Sequence, residues 1–129
     1  MSIDERSPRR RVMAAIPDLL LATRVAETAR VAGIELVVVP LAELAERARE
    51  HPPDLVVVDL AAAGDPAGTI AALRAEPGLA TLPVVGFYPH VHDALRRAAM
   101  AAGATHVVPR SAFSTKLAEV LAGSFPQAP

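Results

Sequence analysis

Pro53-Asp54-Leu55-Val56-Val57-Val58-Asp59-Leu60 sets four consecutive apolar residues between two aspartates. The run shows no alternation of apolar and polar positions, which is the pattern of a strand buried on both faces of a helix-covered parallel sheet. Working outward, Val, Ile and Leu concentrate again at 11–16, 34–39, 83–87 and 105–108, and alanine-rich stretches of helical spacing lie between these runs. Five β-α units in succession predict an α/β domain with a central parallel sheet.

The helices are bounded by familiar punctuation. The first is expected over 18–32, with Asp18 as N-cap, Gly33 as the left-handed stop and Leu21, Val25, Ala29 and Ala32 as its core stripe. The second spans 41–50 and ends before Pro52-Pro53, and the third spans 66–75 and ends at Pro77-Gly78. The fourth, 91–102, turns Val91, Leu95, Ala98 and Ala102 inward and Arg96 and Arg97 outward before Gly103. The last, 112–122, buries Phe113, Leu117, Val120 and Leu121. Residues 1–10 read as a flexible basic tail, 11–123 as the domain and 124–129 as a second flexible tail. The chain reads as a small domain without an output domain of its own.

Composition excludes several classes of function. Thirteen basic against fourteen acidic residues leave a net charge of −1, without the basic excess of a nucleic-acid-binding domain. The absence of cysteine removes disulfides, thiolate metal sites and a cysteine nucleophile, and is compatible with a cytoplasmic location. No apolar run approaches the ~18 to 20 residues of a membrane-spanning helix, so no membrane partner is expected. Arg9-Arg10-Arg11 before an apolar stretch faintly resembles an export signal, but Pro17-Asp18 interrupts it, and a solvated basic flank is the preferred reading. Phosphate-binding glycine loops and the serine-hydrolase elbow are missing. His90, His92 and His106 are a weak candidate zinc set, with His106 expected at the opposite end of the sheet from His90.

In an open parallel sheet, reactive groups gather at the C-terminal ends of the strands. Those ends are Ile16-Pro17-Asp18, Val39-Pro40, Asp59-Leu60, Tyr88-Pro89-His90 and Pro109-Arg110. Asp59 closes the most apolar strand, where a carboxylate is costly unless it is solvated, paired or functional.

On these residues the chain resembles the receiver domain of two-component response regulators. Residues 53–60 are similar to the phosphoacceptor strand, 82–87 to the fourth strand, Ala101-Ala102-Gly103-Ala104 to the turn before the fifth, and 107–113 to the segment that carries the receiver lysine. The resemblance covers 11–122 and implies a flavodoxin-like (βα)5 three-layer sandwich with strand order 2-1-3-4-5. It puts Asp59 in the place of the phosphoacceptor. It puts Tyr88 at the hydroxyl position, Val107 at the switch aromatic and Arg110 at the lysine. Two adjacent acidic residues that hold Mg²⁺ in receivers are matched by Ile16 and Pro17, and Asp18 lies one residue on. Asp18 and Asp59 therefore make at most a weak Mg²⁺ site, no other cofactor being expected.

These departures read as a pseudo-receiver: a non-catalytic, stand-alone signalling module that works by protein contact with a partner or as a homodimer. Phosphoacceptance at Asp59 is then absent or vestigial. The usual partner face would present Arg96, Arg97, Lys116 and Glu119. The alternative is a working receiver that takes phosphate on Asp59 from a histidine kinase with Mg²⁺, and a second alternative is a small-molecule-binding flavodoxin-like domain using the Tyr88 to His92 loop. Without a cation between them, Asp59 and Arg110 are expected to form an ion pair that locks one conformation.

Overall fold

The computed structural model describes residues 9–89 and 93–125. Its elements alternate as β1 (Arg11–Ala15), α1 (Leu19–Ala32), β2 (Glu35–Val38), α2 (Leu41–Glu50), β3 (Leu55–Asp59), α3 (Pro66–Ala75), β4 (Val84–Tyr88), α4 (Asp93–Ala102), β5 (His106–Pro109), α5 (Arg110–Thr115) and α6 (Leu117–Leu121). The five strands form one parallel sheet in the order β2-β1-β3-β4-β5.

The central strand explains the layering. Successive side chains point to opposite faces, so Leu55 and Val57 join one core with Val12, Val25, Phe87 and Phe113, under α1, α5 and α6. Val56 and Val58 join the other core with Met13, Leu44, Ile70 and Leu73, under α2, α3 and α4. Every residue of β3 is buried. The edge strands β2 and β5 are only half-buried, so the expectation of two-sided burial holds for β1, β3 and β4 alone.

Helix α1 follows the capping argument closely. The Leu21 N–H donates to Asp18 Oδ1 at 3.1 Å. At the other end Gly33 adopts φ 73°, and the Ile34 N–H reaches the Ala29 carbonyl at 2.8 Å, which closes the helix. The expected stripe needs one correction: Ala32 is exposed, because the chain turns away at Gly33. On α4 the buried position is Ala99 instead of Ala98, which is exposed, with Leu95 and Ala102 at its margins; Val91 lies outside the described residues.

The last helix is two helices. Lys116 leaves helical geometry at φ −113°, ψ 28°, and its N–H is shared between the carbonyls of Ala112 and Phe113. The expected inward residues Phe113, Leu117, Val120 and Leu121 are all buried.

The expected basic flank is engaged with the body of the domain. Arg9 Nε donates to the Gly33 carbonyl at 3.3 Å, Arg10 Nε to the Leu121 carbonyl at 2.6 Å and Arg11 Nη1 to the His51 carbonyl at 2.6 Å. These carbonyls end α1, α6 and α2, where acceptors lack intrahelical partners. Phe125, in the expected C-terminal tail, packs against the α1/α5/α6 core and against the His106 ring, with centroids 4.3 Å apart.

Candidate functional site

Asp59 is the last residue of β3, opposite Phe87 of β4 in register. By alternation it points to the α1/α5/α6 face, where Phe87 and Phe113 stack with centroids 4.5 Å apart. It is the one buried charged residue among the described residues, at 8% exposure. Its Oδ1 accepts the Ala61 N–H at 2.9 Å, a local turn that fixes the carboxylate at the strand mouth. No buried side-chain nitrogen or oxygen among the described residues lacks a partner.

Asp18, in the loop from β1 to α1, is occupied twice. Oδ1 caps α1, and Oδ2 accepts a hydrogen bond from Arg110 Nη2 at 2.6 Å. The guanidinium first, and the Leu21 N–H second, hold the Asp18 carboxyl below its ordinary value of 3.8. Arg110 opens α5 directly after β5, so this ion pair joins the ends of β1 and β5, two strands that β3 and β4 separate in the sheet.

The expected Asp59–Arg110 lock is therefore corrected. Among the described residues Arg110 pairs with Asp18, and Asp59 takes its hydrogen bond from the backbone. The physical reason is access: Asp18 is half-exposed and already fixed by capping, whereas Asp59 is sunk in β3 with its Oδ1 held by the Ala61 N–H.

A cation of the Mg²⁺ kind fits these residues poorly. It needs near-octahedral oxygen ligation, yet Ile16 and Pro17 bring no side-chain oxygen and both Asp18 oxygens are engaged. No group of three metal-binding side chains occurs among the described residues. His106 serves packing against Phe125, and the other two histidines of the suggested zinc set, His90 and His92, lie outside the described residues.

Tyr88 and Val107 both pack against the α2/α3/α4 core, on the sheet face opposite Asp59. At this end of the sheet the aromatic stands on β4 and the aliphatic on β5. Arg96 and Arg97 are exposed on α4 and pair with Asp93 of the same helix, at 3.9 and 3.1 Å. Lys116 pairs with Glu119 at 3.8 Å. The helices α4 and α6 cover opposite faces, with the edge strand β5 between them. The Tyr88 to His92 loop proposed for small-molecule binding lies in part outside the described residues.

Sequence reading missed Arg74. From α3 its guanidinium donates to the carbonyls of Gly103 (2.8 Å), Leu79 (3.2 Å) and Leu82 (2.6 Å), and to Thr105 Oγ1 (3.1 Å). Thr105 Oγ1 in turn accepts the Val84 N–H at 2.9 Å. Helical periodicity carries no signal of this clasp.

Five parallel strands in the order 2-1-3-4-5, alternating with helices, make a CheY-like, flavodoxin-like fold. Solved structures agree. The chemotaxis response regulator CheY4 of Vibrio cholerae superposes with a TM-score of 0.79 at 17% identity, over 91% of this chain and 99% of that one. A response regulator from Hahella chejuensis gives 0.78 at 19% identity, over 92% and 99%. The receiver domain of the sensor histidine kinase PA1611 from Pseudomonas aeruginosa, solved with a magnesium ion in its active-site cleft, gives 0.77 at 14% identity, over 88% and 94%. No family model matches the chain, and no curated protein matches it in sequence.

Proposed function

We propose that this chain is a receiver-like signalling module that acts by protein contact, with phosphoacceptance at Asp59 absent or vestigial. The observation that carries this reading is the state of Asp18: this carboxylate, one residue past the positions matched to the receiver acidic pair, is held by Arg110 and by the α1 backbone. A cation that would bridge Asp59 to a phosphoryl group lacks its second acidic ligand. Output then depends on a partner, and the α4 to α6 side with Arg96, Arg97, Lys116 and Glu119 is the surface assigned to it. The reading makes the protein a non-enzyme and needs neither Mg²⁺ nor any other cofactor.

A second reading, a phosphoacceptor served by a histidine kinase, is favoured by one observation: Asp59 stands at the mouth of the central strand with only Oδ1 in a hydrogen bond. Incubation with Mg²⁺ and acetyl phosphate, followed by intact mass, separates the two. The proposal expects no adduct; an adduct lost in Asp59→Asn would establish the second reading. For the partner surface, charge reversal of Arg96 and Arg97 together should weaken partner recovery from lysate, and unchanged recovery would contradict the assignment.

A further inference from the structure

The two most exposed large apolar side chains among the described residues, Leu19 at 78% and Leu20 at 81%, stand side by side in the first turn of α1. That turn favours acidic or polar residues, which the helix dipole and the unpaired N–H groups attract. Two residues earlier, Pro17 lines an apolar depression of about 270 Å³, walled also by Ile16, Val38, Val39, Pro40 and Leu41. Val38, on the free edge of the sheet, is 48% exposed. Between knob and depression in the chain sits Asp18, with Arg110 on it, both side chains half-exposed.

One end of the molecule thus carries an apolar projection, an apolar recess and one charge of each sign. A two-fold contact sets the same patch against itself, so it requires a surface complementary to itself. Projection opposite recess and cation opposite anion meet that requirement, and the pair is neutral, so two copies approach without like-charge repulsion. Arginine has five N–H donors, and among the described residues the Arg110 side chain uses one, on Asp18.

We infer that this end is the contact surface of a homodimer. Leu19 and Leu20 of each copy seat against the depression at Pro17, Val38 and Pro40 of the other, and Arg110 donates a further hydrogen bond to Asp18 of the second copy. This surface is separate from the α4 to α6 side, so the inference stands or falls independently of the proposed signalling face. The patch is small, so the dimer is a dissociating one.

Sedimentation of the full chain over a wide concentration range tests this. The mass should pass from monomer to dimer as concentration rises. Leu19→Gln with Leu20→Gln should raise the dissociation constant at least about tenfold, while circular dichroism and thermal midpoint stay unchanged and Arg96→Glu with Arg97→Glu leaves dimerisation as it was. A chain that stays monomeric throughout, or a leucine variant that dimerises like the parent, overturns the inference. The chain contains no cysteine, which allows a second test by cross-linking. Leu20→Cys mixed with Pro40→Cys should give an interchain disulfide on mild oxidation, and a dimer that forms without this cross-link also overturns the inference.

Discussion

Asp18 shows how one carboxylate can serve two elements. It caps α1 and receives Arg110, and both interactions favour its charged form. Because its folded pKa is depressed, the stabilisation is fully present above the unfolded value of 3.8 and is lost as pH falls through the folded value. Carboxyl NMR titration should place the Asp18 midpoint below 3.8 and return it toward that value in Arg110→Gln; an unchanged midpoint would show that the guanidinium is not the cause. Double-mutant cycles give a second reading. Arg110→Ala and Asp18→Asn should be non-additive, whereas Arg110→Ala and Asp59→Asn should add to within about 0.5 kcal/mol. Asp18 and Arg110 were both legible as residues at strand ends, but their pairing was not. It depends on a side chain reaching past the ends of two intervening strands, which no sequence spacing records.

At the scale of elements, punctuation made the helices legible. The bounds of α2 and α3 follow from prolines and glycines on either side. The break at Lys116 has neither residue near it, and the continuous apolar spacing of Phe113, Leu117, Val120 and Leu121 hides it. The burial of strands was legible only as an average, because the sheet order decides which strands become edges. Two contacts between elements invite measurement. Arg74→Met should destabilise the domain by about 2 to 3 kcal/mol in urea unfolding, since it strips a charged donor from several carbonyls; a loss below about 0.5 kcal/mol would show that the clasp is solvated away. Gly86 lies under Leu60, and a Cβ there would come within 2.9 Å of both Leu60 methyl carbons. Gly86→Ala should therefore lose about 1 to 3 kcal/mol, and Leu60→Ala in the same chain should recover part of that loss. Equal losses with and without Leu60 would place the strain elsewhere.

On the scale of the whole molecule, a CheY-like fold is combined with a cluster of strand-end residues in which, on the proposed reading, much of receiver chemistry is missing. The sheet order and the two cores are those of the fold. The segment that follows β1 holds Ile16, Pro17 and an aspartate tied to arginine. The residue types at Ile16, Pro17, Tyr88, Val107 and Arg110, positions singled out by the resemblance to receivers, could be read in the sequence, because four of them lie at or just past a strand end and Val107 lies within β5. The ion pair between the first and fifth β-α junctions emerged only from the fold. Under the proposed function, this end of the sheet does not assemble a Mg²⁺-phosphoryl site. Backbone amide NMR of the chain titrated with Mg²⁺ and then with beryllofluoride tests it most directly. The account predicts no saturable shifts at Asp59, Leu60, Ala61 or Arg110 at millimolar Mg²⁺, and no second set of resonances with beryllofluoride. Saturable shifts at those residues, with a new set of resonances across α4 and β5, would contradict it.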